Sequence, residues 1–176
     1  MTVFVAGVHG VGKSFLCQQY ANDFSVTYES ASGLIRKERA QADWSTDKKA
    51  GNIDGNQIAL RTAVQRIITA GQSLLLDGHF VLINDKSEFV ALESSVFQNI
   101  GITGVVILEA DTEVIASRLA ARDSSRSAVD IGLFLDRERA QAQYVCQELG
   151  VPFHILKQPD LSEFSKVVSQ LFNVKL

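Results

Sequence analysis

The stretch GVHGVGKS near the start of the chain combines residue types that could bind phosphate: Gly7, Gly10, Gly12, Lys13 and Ser14. Glycines allow a backbone to curl so that successive N–H groups point at phosphate oxygens. The lysine ammonium can reach the β- and γ-phosphates of a nucleoside triphosphate, and the serine hydroxyl can ligate Mg²⁺. The spacing matches GxxxxGK[S/T] and directly follows an apolar run, which is the context that a phosphate-binding loop requires.

We therefore predict a site for ATP and Mg²⁺ at this loop, with Lys13 as a catalytic residue because its ammonium would contact the transferred phosphoryl group. His9 occupies a variable position of the motif. The residues predicted to bind the nucleotide here are Gly7, His9, Gly10, Val11, Gly12, Lys13, Ser14 and Phe15.

A second polar position, Asp77, ends another apolar run, SLLLD. A carboxylate at the end of a buried strand beside the loop typically orients Mg²⁺ or its waters. We predict that Ser14 and Asp77 hold the metal and that Asp77 contributes to catalysis. Because Asp followed by Gly78 is also ordinary turn chemistry, a turn cap remains the alternative.

A sheet must position these residues. Thr2–Ala6 is almost wholly apolar and ends at glycine, which is typical of a strand buried on both faces of a parallel sheet. Further strands are predicted at Ser25–Glu29, Ser73–Asp77, Gly104–Leu108 and Pro152–Leu156. Helical apolar spacing lies between them, for example over Asn56–Ala70 before Gly71, and again after Asp160. This alternation predicts an α/β three-layer sandwich around a five-stranded parallel sheet.

The bulk composition is that of an ordinary globular protein. The 176 residues fit one domain, over 1–176, and the net charge of −3 argues against a nonspecific nucleic-acid or membrane surface. No apolar run is long enough to cross a bilayer. Cys17 and Cys146 are far apart in sequence, so we expect two buried thiols in a cytoplasmic protein.

Beyond the loop, the chain resembles the adenylate kinase family of P-loop nucleotide kinases. Asp77-Gly78-His79-Phe80 resembles the "DGxPR" segment of adenylate kinases, and more closely the "DTHS"-like segment of the archaeal-type members. Val105–Arg122 (VVILEADTEVIASRLAAR) resembles the family's strand, acidic turn and "RLxxR" helix. The resemblance implies phosphoryl transfer from ATP to a nucleoside monophosphate.

The resemblance also implies roles for several arginines. Arg118 and Arg122 are four residues apart on one helix face, and the corresponding family pair covers adenine and phosphates. Arg126 falls in a serine-rich segment that would be a short lid at about 122–132. Arg139 matches the family arginine that reaches the transferred group. Arg122, Arg126 and Arg139 are thus predicted catalytic residues and Arg118 a nucleotide-binding residue, with a salt-bridged surface as the alternative.

The acceptor would bind in an insertion at about 30–70, where the family has a "TGDxxR" helix. Here Gly33 is followed by Arg36 after three residues rather than four, and Lys37 occupies the expected arginine offset. Whether Arg36, Lys37 or neither contacts the acceptor stays open, with solvated side chains paired to glutamates as the alternative. The predicted acceptor-binding residues are Gly33, Arg36, Lys37, Gln57 and His79.

Around the same insertion, Trp44 could stack on a base and the Asn56-Gln57 pair could contact base edges, although a packing Trp and a capping Asn are equally ordinary.

Three functions are compatible with this pattern. The first is transfer of the γ-phosphoryl group of ATP to a small acceptor, most plausibly a nucleoside monophosphate with AMP first. The second is a kinase of a nucleoside, sugar or other metabolite. The third is a regulatory ATP-binding switch with a protein partner; Asn84-Asp85-Lys86-Ser87 and Thr46-Asp47-Lys48-Lys49 do not fit the NKxD motif of guanine-nucleotide switches.

Overall fold

The computed structural model describes residues 1–41, 53–84, 86–122 and 130–173. The strands are β1 Thr2–Ala6, β2 Thr27–Ser30, β3 Leu74–Gly78, β4 Val81–Ile83, β5 Phe89–Ala91, β6 Ile102–Glu109 and β7 Phe153–Lys157. The helices are α1 Lys13–Asp23, α2 Ala31–Gln41, α3 Ile53–Thr69, α4 Ser94–Ile100, α5 Thr112–Arg122, α6 Ile131–Leu149 and α7 Leu161–Asn173.

Five strands form one parallel sheet in the order β2-β3-β1-β6-β7. β1 is central, and every residue of Thr2–Ala6 and of Leu74–Gly78 is buried. This burial explains why these strands lack polar alternation. The predicted α/β fold with a five-stranded parallel sheet is confirmed, and the predicted strand bounds are displaced by at most a few residues.

Side chains alternate between two apolar cores, one on each face of the sheet. Val3 and Val5 of β1 point into a core shared with α1 and α7, whereas Phe4 and Ala6 point into a core shared with α2, α3, α4 and α6. This arrangement is the predicted three-layer sandwich, because helices cover both faces of the sheet.

β4 and β5 form an antiparallel hairpin that the sequence did not predict, in which Val81 pairs with Ala91 and Ile83 with Phe89. Its strands contain three residues each, too few for a periodic pattern to be distinguished from a loop. The hairpin follows Asp77 directly and therefore bounds the region beside the end of β3.

Both cysteines are buried free thiols, as predicted. Burial raises the pKa of the Cys146 thiol to about 12 and raises that of Cys17 well above its ordinary value, so both are neutral at physiological pH. In the described part of the chain, no helix is both long and apolar enough to span a membrane.

Candidate functional site

The loop between β1 and α1 has the backbone shape that its glycines predicted. Gly7 has φ of +139°, and a Cβ there would lie 2.4 Å from the carbonyl oxygen of Leu108 in β6. No other residue type fits without displacing that strand. The loop thus begins in close contact with β6, the neighbour of the central strand, and continues into α1 at Lys13. The free N–H groups at the N-terminus of α1 favour an anion.

Lys13 is folded onto its own loop. Its Nζ donates to the carbonyl oxygens of Gly7 at 2.5 Å and Val8 at 3.2 Å, and the residue is only 8% exposed. Burial lowers the pKa of Lys13, while the nearby carboxylates of Asp77 and Glu138 oppose that shift. The ammonium is therefore held inside the loop, in reach of any phosphate that replaces the two carbonyl contacts.

Ser14 and Asp77 meet beside the loop. The Ser14 hydroxyl donates to Asp77 Oδ2 at 3.0 Å, and the Tyr28 hydroxyl donates to the same oxygen at 2.6 Å. Burial and the hydrogen bond to Asp77 raise the pKa of Tyr28, so its phenol stays protonated and remains a donor. Asp77 is therefore oriented by two side chains, rather than capping its own turn.

The donor set fits Mg²⁺, which binds one or two protein oxygens together with phosphate and water oxygens. Ser14 Oγ and Asp77 Oδ2 are hard oxygen ligands 3.0 Å apart. Among the described residues, no cluster of three or more His, Cys, Asp or Glu side chains could hold a metal by itself.

Arg118 of α5 reaches the loop from the other side. Its Nη1 donates to the carbonyl oxygens of Gly10 at 3.0 Å and Val11 at 3.3 Å. The structure thus places Arg118 against the predicted nucleotide-binding loop, where its guanidinium is exposed and lines the same cleft.

Replacing Arg118 should weaken nucleotide binding without destabilising the fold. Since the guanidinium is exposed and its bonds within the described residues are to neutral carbonyls, we expect Arg118→Ala to raise the KM for ATP about threefold to tenfold. Stability should change by about 0.5 kcal/mol or less. Arg61→Ala, on the exposed surface of α3, is the matched control. An unchanged KM in Arg118→Ala would show that the arginine only braces the loop.

Glu138 of α6 is a buried carboxylate that the sequence reasoning did not assign to the site. It is 1% exposed, and its oxygens accept backbone N–H groups from Phe80 at 3.0 Å, Val81 at 2.7 Å and Gly7 at 3.3 Å. One side chain therefore links the first residue of the phosphate loop to the chain that follows Asp77.

The signal for Glu138 was present in the sequence. Phe134, Ala142 and Val145 are buried on α6, and Glu138 occupies the same helical face one turn after Phe134. A charged residue on the apolar face of a predicted helix indicates a buried polar partner, because such a group is rarely buried unless it is paired.

His79 and His9 lie together beside Asp77. Their ring centroids are 4.5 Å apart, and His79 also lies 6.1 Å from the ring of Phe134. Nδ1 of His79 is buried without a hydrogen-bond partner, at 3.7 Å from Glu138 Oε1. Burial lowers the pKa of His79 against the raising effect of Glu138, so the imidazole is neutral at physiological pH.

One cleft of about 1160 Å³ extends to both sides of the loop, and among the residues that line it are His9, Lys13, Ser14, Asp77, His79 and Arg118. Toward the β7 edge of the sheet it is lined by Arg118, Ala121 and the Gln158–Leu161 turn; we call this side the β7 arm. Toward the β2 edge it is lined by α2, α3, β4 and α4; we call this side the β2 arm, with Ser32, Ile35, Asn56, Gln57, Leu60 and Leu82 among its walls. The loop thus lies between two compartments.

The predicted acceptor residues divide between the cleft and the surface. Gln57 and His79 line the cleft, whereas Gly33, Arg36 and Lys37 do not. A contact of any of these residues with an acceptor stays a prediction. The Gly33 N–H bonds to Ser30 Oγ within the first turn of α2, and the Lys37 ammonium is paired with Glu29 at 2.6 Å on the surface.

Arg36 is likewise exposed on α2, outside the lining of the cleft. The physical reason is helical geometry: Ile35 takes the position that faces the cleft, and the next two residues follow at about 100° each around the helix. The side-chain register of α2 therefore turns both cations away from the compartment that they were expected to serve.

Arg139 is also not brought to the phosphate loop. Its Nε and Nη2 bond to the two carboxylate oxygens of Glu109 at 2.5 and 2.9 Å, in a separate surface pocket with Asp111 and Lys157. The bidentate ion pair, one of the alternatives for these arginines, accounts for its position. Trp44, Arg126 and the side chain of Arg122 lie outside the described residues, and the lid at about 122–132 stays a prediction.

The parallel sheet, the phosphate loop and the Ser14–Asp77 pair at its edge define a P-loop α/β protein with a kinase-like fold. The chain belongs to the family described as the AAA domain, whose profile matches residues 6–132. No curated protein sequence matches the chain.

Solved structures with this fold cover nearly the whole chain. A Chloroflexus aurantiacus protein provisionally named a kinase is 20% identical, with 96% of each chain covered and a TM-score of 0.56. A sugar kinase from Janibacter sp. HTCC2649 is 17% identical over 98% of this chain and 94% of that one, with a TM-score of 0.53. An uncharacterized protein from Eubacterium ventriosum is 8% identical over 99% of both chains, with a TM-score of 0.53. At such identities the likeness concerns the fold.

Proposed function

We propose that the chain is a Mg²⁺-dependent phosphotransferase that moves the γ-phosphoryl group of ATP to a hydroxyl or phosphate oxygen of a small acceptor. The observation that supports this most is the cleft itself. It contains the loop lysine and the Ser14–Asp77 pair, and it continues past them into a second compartment, the β2 arm. A switch that only hydrolysed ATP would not need that second compartment, whereas a kinase requires one.

The chain supplies position and charge to this reaction. The phosphates of ATP would lie along the loop N–H groups, and the Lys13 ammonium would exchange its contacts with Gly7 and Val8 for phosphate oxygens. Ser14 and Asp77 would hold Mg²⁺, which neutralises charge on the β- and γ-phosphates when bound. The acceptor oxygen forms a bond to the γ-phosphorus while the bond to the β-γ bridging oxygen breaks, so that ADP leaves with the electron pair.

The nucleoside monophosphate acceptor and the specific likeness to archaeal-type adenylate kinases are finer proposals. The likeness rests on Asp77–Phe80 and Val105–Arg122. The charge argument for a monophosphate rests on Arg36 and Lys37, which do not line the cleft. The experiment that tests the general function is acceptor-dependent ADP formation, measured with ATP, Mg²⁺ and a panel of nucleosides, monophosphates and sugars. Equal ADP formation with and without every acceptor would support the ATPase switch instead.

Asp77→Asn keeps the shape of the side chain but removes its charge. If Asp77 orients Mg²⁺, we expect kcat to fall about tenfold or more, and the Mg²⁺ concentration for half-maximal rate to rise. The matched control is Asp136→Asn on the exposed face of α6. A Mg²⁺ dependence that is the same in Asp77→Asn and in the wild type would remove Asp77 from the metal site.

A further inference from the structure

Beyond Asp77 and His79, which lie at its inner end beside the loop, the β2 arm has no ionisable side chain in its described walls of α2, α3, β4 and α4. Its polar members are serines and amides: Ser30, Ser32, Asn56 and Gln57. Its apolar members include Ile35, Leu60, Leu82, Leu92, Val96 and Ile100. A compartment with such walls favours a ligand with an apolar body and a few hydrogen-bonding groups.

Three cations of α2 and α3 have partners among the described residues, and Arg36 is exposed outside the lining of the cleft. Lys37 is paired with Glu29 on the surface, and the Arg66 guanidinium bonds to Glu38 at 2.8 Å. Nη1 of Arg39 bonds to the side-chain oxygen of Asn56 at 2.7 Å. Arg39 thus stands behind a wall residue of the arm, and among the described residues no cationic side chain of α2, α3, β4 or α4 lines the cleft. A phosphate on the acceptor would therefore meet no cation in the described walls of the arm.

Leu82 provides a second and independent indication. It is 38% exposed although it lines the cleft, whereas Leu60 and Val96, which also line it, are 7% and 5% exposed. Leu82 thus leaves a large apolar side chain facing the compartment rather than the core. Apolar surface of this kind is covered when a ligand with a ring or hydrocarbon body binds.

We propose that the β2 arm binds an uncharged acceptor, one with a ring or hydrocarbon body and a hydroxyl group, rather than a phosphorylated one. This inference rests on the proposed phosphotransfer function and narrows its substrate class. The apolar body packs against Leu82 and Leu60, and the amides of α3 hydrogen-bond its polar groups. The acceptor hydroxyl is directed toward Asp77, its oxygen bonds to the γ-phosphorus of ATP, ADP leaves with the electron pair, and the hydroxyl proton passes to solvent.

The hairpin offers a matched pair of variants for the test. Leu82 and Ile83 are neighbours on β4 with nearly equal exposure, 38% and 37%, but only Leu82 lines the cleft. Because both side chains are partly exposed, neither alanine variant should disturb the fold. Comparison of Leu82→Ala with Ile83→Ala therefore isolates the contribution of the cleft wall from that of a lost surface side chain.

The probe is N-phenyl-1-naphthylamine, an uncharged aromatic molecule whose fluorescence rises in apolar sites. It is titrated into the protein with Mg²⁺ and a saturating nonhydrolysable ATP analogue, so that the nucleotide compartment is filled. We expect saturable binding whose Kd increases about threefold to tenfold in Leu82→Ala and is unchanged in Ile83→Ala. AMP and inorganic phosphate should not displace the probe.

Two results would overturn the proposal. One is a probe affinity that is equal in the wild type, Leu82→Ala and Ile83→Ala, or no saturable binding at all. The other is displacement of the probe by AMP or phosphate at concentrations similar to that of the probe, which would show that the arm accepts a phosphate group. The titration requires no turnover. Its failure is therefore distinguishable from failure of the phosphotransferase proposal, which appears as missing acceptor-dependent ADP.

Discussion

Lys13→Ala is expected to reduce ATP-dependent turnover by a factor of about 10² to 10³, the range seen when one preorganised charge-stabilising donor is removed from a transition state. The ammonium is the basic group held within the phosphate loop, where it bonds to Gly7 and Val8 and is screened from solvent. Because burial already disfavours the charged form of Lys13, removal of this side chain should leave thermal stability largely intact. Steady-state kinetics and thermal unfolding measure the two effects.

Lys166→Ala is the matched control for that variant. Lys166 is exposed on α7, outside the lining of the cleft, so its loss changes the net charge by the same amount without touching the loop. We expect wild-type rates in Lys166→Ala. A folded Lys13→Ala protein that binds and turns over ATP normally would remove the loop from the catalytic site.

The second large effect is expected at Glu138. In Glu138→Ala the N–H groups of Gly7, Phe80 and Val81 lose a buried acceptor, and each unsatisfied donor costs about 1–3 kcal/mol. We expect a loss of about 3 kcal/mol or more in the free energy of unfolding, measured by urea denaturation. Since Gly7 begins the phosphate loop, affinity for ATP should fall in the same variant.

Two further variants separate the role of Glu138 from that of its helix. Glu138→Gln retains one acceptor oxygen and should be destabilised less than Glu138→Ala. Arg137→Ala changes the neighbouring exposed residue of α6 and should shift the unfolding free energy by about 0.5 kcal/mol or less. The account would be wrong if Glu138→Ala were as stable as Arg137→Ala, because three buried N–H groups would then have found other partners.

The central part of this site was predictable from sequence because its signals are local. A buried strand, three glycines, lysine and serine follow one another within Thr2–Ser14, so backbone shape and function are encoded in one segment. Asp77 was predictable for a related reason: it ends a buried strand, and parallel strands bring their carboxyl ends to one edge of the sheet.

The remaining parts of the site depend on side-chain register and distant partners. Arg36 and Lys37 follow the correct strand, but the rotation of α2 places them on its outer surface. Arg139 is drawn to Glu109, 30 residues away in sequence, and Tyr28 reaches Asp77 across 49 residues. Such pairings are set by the folded arrangement of several elements, so residue spacing alone could not predict them.

The central claim is that the γ-phosphoryl group of ATP is transferred to a small acceptor rather than to water. The direct measurement is to incubate the protein with Mg²⁺ and ATP labelled at the γ-phosphorus, with each of a panel of uncharged hydroxyl compounds and their monophosphates, and to separate the labelled products. The account predicts label on an acceptor, most strongly on an uncharged one, and none above background with Lys13→Ala. Label found only in inorganic phosphate, at a rate that no acceptor changes, would contradict it.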